Sequence, residues 1–408
     1  MKAAALHHRF RSGGTEPPEG CKLVGRQTAR VAAFRNRSVT PPIEAPMNQT
    51  ARLTAQALAL LVAVGAQTAA ADEGPTWKFS GFGTVGAVIA DTDEAQFHSS
   101  TLQSSGAGRS PDLGVDSRLG LQGNVKFNDT FSAAGQLLTS EREGLTAQAE
   151  WLYGEASIAP WLKLRVGRMV LPVFLVSDSR NVGYATHWAR APIEVYGLYP
   201  ASAFDGAQAQ VQADWGDTHL TVQASAGRSN VDIHASATKV DAKLKNLYSL
   251  NLVVERGNWT LRLGDTESRN TELEGLGLPP FDDSFRGVGV GYDNGKLLVQ
   301  AEYVARRTSN DGLLDMDGYY ATVGYRVGAW TPYGTIGRYE PGRSSLLTGT
   351  DTRSLAAGVR WDVFRNVALK AQVESTQNNG LNFVNTTPTF TDGRHKVNVF
   401  TLLVDFVF

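Results

Sequence analysis

Short segments that alternate apolar and polar residues fill the chain after Trp77, and this alternation constrains the fold more than any other feature. A period of two places successive side chains on opposite faces of a β-sheet. The same pattern recurs near residues 115–127, 207–215 and 367–374. One face is apolar, whereas the other is charged and rich in glutamine. The pattern is clear in one segment, where Leu297, Val299, Ala301, Tyr303 and Ala305 alternate with Lys296, Gln300, Glu302 and Arg306.

A soluble β-sandwich also alternates, but the segments taken together favour a barrel that is apolar outside and wet inside. Seven short connections alternate with eight long ones, which predicts sixteen strands. Single-chain outer-membrane barrels have even strand numbers, with short turns at one end and long loops at the other. We therefore predict an all-β fold, a transmembrane antiparallel barrel of about 16 strands. The phase of the fourth and thirteenth strands is ambiguous. The long connections are expected at 91–114, 141–145, 171–206, 229–243, 269–285, 307–317, 341–352 and 377–394.

The N-terminal part of the chain has no strand pattern. Residues 47–71 have the features of a secretory signal, with Arg52, an apolar stretch at 55–66 and small residues before position 72. We expect residues 1–46 to be a non-native or mis-assigned extension, the alternative being a genuine cytoplasmic or targeting segment. The barrel domain is expected at 72–408. The single cysteine, Cys21, then lies outside it, and the formal net charge of −1 does not suggest a nucleic-acid partner.

Aromatic residues repeatedly lie beside the short turns. Amphipathic rings favour the headgroup level of a membrane, so this placement predicts a girdle at one interface, although strands are rich in aromatics for other reasons as well. The girdle is expected to contain Trp77, Phe127, Phe131, Trp161, Trp215, Trp259, Tyr292, Trp330, Trp361, Phe364 and Phe408.

Both ends of the predicted barrel carry a resemblance to known proteins. The final segment, 396–408 (KVNVFTLLVDFVF), resembles the closing strand of Gram-negative outer-membrane proteins. Residues 78–84 (KFSGFGT) resemble the opening strand of the porins. The run 164–168 (LRVGR), followed by a long loop, is similar to the porin entry into an infolded third loop. The chain thus resembles the general-diffusion, sixteen-stranded porins of the Gram-negative outer membrane over residues 73–408.

The resemblance implies a homotrimer in the outer membrane, surrounded by lipid and without a cofactor. It also implies recognition of the strand ending in Phe408 by the barrel assembly machinery. The stretch 171–206 has three prolines, many aromatics and no steady period, so we expect it to fold into the lumen as the third loop. It lacks the acidic PEFGG pattern of the best-known porins, which leaves charge selectivity open.

Fixed charges at a narrowing filter solutes by size and sign. Basic residues at inward wall positions are expected to contact solute. Alternatively, Arg180 and Arg190 pair with Asp178 and Glu194 to hold the loop against the wall, where its aromatics, Tyr184, Trp188, Tyr196 and Tyr199, would pack. Inward acids include Asp116, Glu302 and Glu374. The predicted constriction comprises Arg118, Lys163, Arg165, Asp178, Arg180, Arg190, Glu194 and Asp205, and the predicted pore wall Lys78, Arg262 and Lys370.

No metal-spaced His/Cys cluster, phosphate loop or G-x-S-x-G motif occurs in the sequence, so we expect neither an enzyme nor a metal site. His187 is expected to line the lumen. The function expected is a water-filled channel for passive diffusion of small hydrophilic solutes and ions. A slight excess of inward basic residues keeps open a substrate-selective channel for organic anions or carboxylates. A non-conducting barrel that acts as an adhesin or structural anchor is the alternative from another class.

Overall fold

Sixteen antiparallel strands close into a barrel in the described part of the chain, as predicted. The structure is a computed structural model, and it describes residues 74–408 except 200, 236–237, 344, 346–350, 379–381 and 392–394. The expected extension at 1–46 and signal at 47–71 lie outside the described residues. The strands are β1 (Thr76–Ala90), β2 (Arg118–Lys126), β3 (Phe131–Glu141), β4 (Leu145–Ala159), β5 (Leu162–Val170), β6 (Ala203–Trp215), β7 (Thr218–Ala235), β8 (Thr238–Arg256), β9 (Trp259–Glu274), β10 (Phe281–Asp293), β11 (Leu297–Thr308), β12 (Met316–Tyr325), β13 (Trp330–Pro341), β14 (Thr352–Phe364), β15 (Val367–Asn378) and β16 (His395–Val407).

Each strand pairs with its neighbours in the chain, and β16 pairs with β1 to close the barrel. Apolar residues face outward: Leu355 and Leu402 are 61% and 64% exposed. Their alternates on the same strands face the interior. No helix in the described part of the chain is long and apolar enough to cross a membrane.

The seven turns at one end of the barrel are two to four residues long. Aromatic side chains are exposed beside them, as the girdle prediction requires, and Trp215 is 91% exposed. The rings of Trp330 and Trp361 stack across β13 and β14 with centroids 4.7 Å apart. This arrangement marks the turn end as a membrane interface.

Two of the expected loops are mostly strand. β7 continues to Ala235 and β8 begins at Thr238, so strand occupies most of the stretch 229–243 that was predicted as a connection. β9 and β10 likewise extend into 269–285. The sequence did not predict these strand ends because charged residues replace the apolar alternation there. Lys239 contacts Asp232 at 2.8 Å, and Lys245 contacts Glu272 at 2.6 Å. Cross-strand ion pairs thus accompany strand pairing where the apolar signal ends.

The two ambiguous strands have distinct explanations. In β4, Gln136 pairs with Trp151 and Leu137 with Ala149, so Glu150 is an extra residue that changes the phase of the strand. In β13, Tyr333 is buried on the inner face while Ile336 is 53% exposed on the outer face. Apolar residues therefore occupy both faces of β13, so the sequence pattern of this strand does not indicate which face is outward.

Residues 171–202 connect β5 to β6 and contain a 3-10 helix (Gly183–Ala185) and a short helix α1 (Ile193–Tyr196). At the loop end of the barrel, the strands Gln96–Phe97 and Phe383–Val384 form a small ribbon, and helix α2 (Pro388–Thr391) follows. Phe97, Phe383 and Phe390 pack with inward residues of β1 and β16 in one apolar cluster. The ribbon thus covers the inner face of the strands that close the barrel.

Candidate functional site

The segment 171–202 is bonded to inward-facing groups on many strands. At its start, Arg262 of β9 donates from Nη2 to the carbonyl of Pro172 at 2.5 Å. Glu302 of β11 accepts from the backbone N–H of Leu175 at 2.8 Å and from the hydroxyl of Tyr196 at 2.7 Å. Arg262 therefore projects inward as predicted, but its guanidinium holds the loop backbone.

An apolar cluster fills the lumen beside β8–β13. The ring of Phe174 stacks on Tyr196 with centroids 4.4 Å apart, and Trp188 meets the edge of Tyr320 at 5.7 Å. Tyr199 packs against Phe285 at 4.8 Å. All are largely buried. The loop aromatics thus pack against one side of the barrel, which leaves the opposite side, β1–β7, to line any remaining passage.

The middle of the loop is held by two cations from the wall. Lys370 donates to the carbonyls of Gly183 and Trp188 at 2.7 and 2.9 Å, and its ammonium lies 2.9 Å from Asp405. Arg360 donates to the carbonyls of Tyr184 and Thr186 at 2.6 and 2.7 Å. The Lys370 side chain is fully buried. The structure corrects the expectation that Lys370 contacts solute, because its ammonium already contacts loop carbonyls and the carboxylate of Asp405.

Arg190 does not pair with Glu194, contrary to one alternative above. Its guanidinium lies 2.6 Å from Asp116 and 3.2 Å from Glu374, and over the ring of Phe97 at 4.8 Å. Burial lowers the pKa of Arg190, but the two carboxylates outweigh burial and raise its pKa above the usual value. The sequence alternation predicted that Asp116 and Glu374 face inward, but it did not predict that Arg190 would be their partner.

Glu194 lies on α1 and is buried. Burial, followed by repulsion from Glu374, raises its pKa to about 7, while hydrogen bonds from Ser354 and Asn382 oppose the rise. His187 is buried against Trp188 and Tyr333. Burial and then the neighbouring Lys370 lower its pKa to about 3, so it is a neutral packing residue at physiological pH.

On the β2–β4 side of the lumen, several arginines come together with two glutamates, Glu141 and Glu150. Arg118 of β2, Arg142 at the end of β3 and Arg180 of the loop line one cavity of about 110 Å³ together with Glu150. Desolvation, and after it repulsion from Arg118, lowers the pKa of Arg180, whereas Glu150 raises it. In the part of the chain that the structure describes, Arg180 has no hydrogen bond and no carboxylate within 4 Å. We call Arg118, Arg142 and Arg180 the arginine cluster.

Arg142 and Glu150 were not predicted as site residues. Arg142 belongs to a segment expected to be a loop, and Glu150 is the extra residue of the β4 bulge. Desolvation, and then repulsion from Arg180 and Arg168, lowers the pKa of Arg142, while Glu150 opposes this. All of these arginines remain cationic at physiological pH because the usual arginine pKa lies so far above 7.

Two wider cavities lie beyond the arginine cluster. Towards the loop end, a cavity of about 550 Å³ shares the lining residues Leu102 and Arg142 with the cavity at the arginine cluster. At the turn end, a cavity of about 490 Å³ is lined by Lys78 and Glu155. Arg165 and Lys163 contact Glu155 at 2.7 and 3.6 Å. These basic residues therefore mark a track along β1–β5.

Two further predicted residues take different places. Asp178 is exposed on the loop. The structure corrects the placement of Asp205 at the constriction. Phe204, Gln208 and Gln210 are buried on the inner face of β6, and Asp205 lies on the alternate register. Its carboxylate contacts Arg168 at 3.4 Å, at the ends of β5 and β6. The alternation of β6 moves it off the constriction.

The sequence matches the model of the Gram-negative porin family over residues 57–381. The chain belongs to the Gram-negative porins. A search among curated proteins found no match for the sequence. Membership of this family places the porin in the outer membrane, in contact with lipid, as a channel-forming protein.

Solved porin-like barrels resemble this porin in fold at low sequence identity. The anion-selective porin from Comamonas acidovorans is 12% identical with a TM-score of 0.55, covering 82% of this chain and 100% of that one. OmpT of Vibrio cholerae is 15% identical with a TM-score of 0.54, covering 83% and 99%. The channel DcaP of Acinetobacter baumannii is 12% identical with a TM-score of 0.53, covering 83% and 99%.

Proposed function

We propose that this porin is a passive, non-enzymatic channel for small hydrophilic solutes and that it prefers anions. The observation that carries the proposal is the arginine cluster on the β2–β4 side of the lumen. Among the described residues no carboxylate lies within 4 Å of Arg180, so a passing anion would add to the partial balance that Glu150 gives from a greater distance. Inward charge sets the ion preference of a pore.

The rest of the wall supports diffusion of polar solutes. Buried amides and hydroxyls line the inner face of β6–β8. Gln208 donates to Ser225 at 3.1 Å, and Gln223 donates to Gln210 at 3.3 Å and accepts from Asn251 at 2.9 Å. Such side chains offer donors and acceptors without net charge. They suit a lumen that passes hydrophilic solutes with little selection beyond size and sign.

Reversal potential in a salt gradient across a planar bilayer tests the proposal. We expect the wild-type porin to prefer chloride over potassium. Arg180→Glu changes the local charge by two units, which lowers the preference for anions about sevenfold at a separation of roughly 7 Å in water. Arg286→Glu is the matched control, because Arg286 is exposed on the outer face of β10. A wild-type preference for cations, or equal shifts in both variants, would refute the proposal.

The same recordings separate the alternative functions. Block of the current by a particular carboxylate at low concentration would favour a substrate-selective channel for organic anions. Absence of any current from a folded barrel would favour an adhesin or anchor. The small cavity of about 110 Å³ at the arginine cluster is what keeps the selective channel in consideration.

We also propose that the porin assembles as a homotrimer through the outer face of β1–β4. A groove of about 480 Å³ there is almost wholly apolar, with Phe79, Leu121, Leu137 and Phe408 along it. A trimer form is described for OmpT of Vibrio cholerae, whose barrel is similar. Native electrophoresis of the detergent-extracted porin should show a trimer, and Leu137→Lys should shift it to a monomer. A monomeric wild type would contradict the proposal.

A further inference from the structure

Two cavities adjoin on the β2–β7 side of the lumen, and their sizes differ. The cavity of about 110 Å³ at the arginine cluster and the cavity of about 550 Å³ towards the loop end are both lined by Leu102 and Arg142. We call them the inner cavity and the outer cavity. Pockets that hold a whole small molecule usually measure about 300–1,000 Å³. The outer cavity is therefore large enough for the body of a small solute, and the inner cavity only for its end group.

The inner cavity has more positive than negative side chains. Its charged lining consists of Arg118, Arg142, Arg180, Arg190, Glu141 and Glu150. Arg190 is balanced by Asp116 and Glu374, which lie 2.6 and 3.2 Å from its guanidinium. The other three arginines then face two glutamates. Because guanidinium groups bind carboxylates in a bidentate geometry, the end group that fits the inner cavity is a carboxylate.

Hydroxyl and amide groups continue from the inner cavity into the outer cavity. Thr101 and Ser140 line the inner cavity, and Ser202 and Asn230 line the outer cavity. Within the described residues, the side chains of these four make no hydrogen bond to the protein. Their donors and acceptors are thus available to the hydroxyl groups of a solute, which replace water at such sites at little cost. An apolar solute body would leave these groups unpaired, so it fits the outer cavity poorly.

The acidic residues that line the outer cavity already contact basic residues. Glu143 and Asp232 flank the ammonium of Lys239 at 2.7 and 2.8 Å, and Asp241 lies 3.9 Å from Lys243. An ammonium group on a solute would therefore meet carboxylates that each have a cation beside them. A hydroxyl group needs no such charge. The lining thus favours an uncharged polar body over a positively charged one.

We propose that the solutes this porin prefers are sugar acids, which carry a carboxylate on a hydroxylated chain or ring. The carboxylate lies among Arg118, Arg142 and Arg180 in the inner cavity, and the hydroxyl groups contact Ser202 and Asn230 in the outer cavity. This inference rests on the anion preference proposed above and names the class of anion.

The test compares four solutes that all have six carbon atoms. Gluconate has a carboxylate and hydroxyls, hexanoate has only the carboxylate, sorbitol has only hydroxyls, and 6-aminohexanoate has a carboxylate and an ammonium. Each is titrated against the wild-type porin in planar bilayers until it halves the chloride current. We expect gluconate to reach half block at a concentration at least about fivefold lower than that of each other solute, a factor that corresponds to one neutral hydrogen bond.

Two variants separate the two ends of the solute. Arg180→Gln should raise the half-blocking concentrations of gluconate and hexanoate alike, by about tenfold, because both lose a charge-assisted hydrogen bond. Ser202→Ala combined with Asn230→Ala should raise that of gluconate alone, by about fivefold for each hydrogen bond lost. Ser132→Ala combined with Asn124→Ala is the matched control, because these residues line the separate cavity at the turn end.

The outcomes distinguish this inference from the proposed function. A reversal potential that favours potassium would refute the anion preference itself. With chloride preferred, equal half-blocking concentrations for gluconate and hexanoate, or for gluconate and sorbitol, would overturn only the sugar-acid inference. Tighter block by 6-aminohexanoate would overturn it as well, because the outer cavity would then bind an ammonium group. Equal effects of the Ser202/Asn230 variant and its control on gluconate block would also contradict the assigned site.

Discussion

Arg190 shows how one side chain can hold the loop of this porin across the lumen. It joins Asp116, ahead of β2, to Glu374 on β15, and it donates to Thr401 of β16 at 2.5 Å. Replacement by glutamine leaves the buried Glu374 without a cation and Asp116 with Arg118 alone, at 3.9 Å. Breaking a buried pair in this way costs about 3–5 kcal/mol. We expect Arg190→Gln to lower the temperature at which the folded barrel loses its heat-modifiable mobility on SDS gels. Arg286→Gln, which breaks only an exposed pair, should leave that temperature unchanged, whereas equal effects would show that the Arg190 contacts contribute nothing.

Glu194 predicts a pH dependence of loop packing. Its pKa in the folded protein is raised to about 7, above the usual glutamate value, so the folded state binds the proton more tightly than the unfolded state. Below the unfolded pKa the residue costs nothing; the cost grows as pH rises and is complete above about 7. Glu194→Gln should therefore stabilise the barrel by an amount of the order of 1 kcal/mol at pH 8 and not at pH 4. Thermal unfolding of both proteins at the two pH values measures this, and a difference that is larger at pH 4 would contradict the assignment.

At the scale of the element, the loop 171–202 depends on close contact with the wall at Gly183. A Cβ atom there would lie 2.0 Å from Asp405 Oδ1 and 2.6 Å from Thr84 Oγ1. Those two groups hydrogen-bond to each other at 2.6 Å and are buried, so neither has room to move. We expect Gly183→Val to displace the 3-10 helix from β1 and β16 and to change single-channel conductance in planar bilayers. Gly334→Val is the control, since a Cβ at Gly334 would lie 3.9 Å from its nearest neighbour, the carbonyl oxygen of Ala356. A conductance identical to wild type in the Gly183 variant would exclude a tight loop–wall contact.

The elements also show what the sequence could and could not predict. Alternation and turn spacing predicted all sixteen strands, because lipid outside and polar groups inside impose a period of two over most of the wall. The same rule did not predict the outward face where both faces are apolar, as at Tyr333, or where a bulge shifts the alternation by one residue, as at Glu150. The loop anchors were only half predictable. The inward register of Lys370 and Arg262 follows from periodicity, but their partners are backbone carbonyls of an aperiodic segment, and no sequence pattern specifies which carbonyl approaches which strand.

For the whole molecule, closure of the barrel depends on the seam between β1 and β16, where the two ends of the described chain meet. Phe408 exchanges backbone hydrogen bonds with Gly81 at 2.8 and 2.9 Å, and its ring covers Gly81 so closely that a Cβ there would lie 2.3 Å from it. Deletion of Phe408 removes both bonds and the ring, so we expect the variant to fold more slowly into detergent micelles and to unfold at a lower temperature. Phe364→Ala is a suitable comparison, because that ring is also exposed beside a turn but lies away from the seam. If both changes lowered the unfolding temperature equally, the loss would reflect the aromatic girdle in general, whereas a selective effect of Phe408 would establish the seam as the step that completes the barrel.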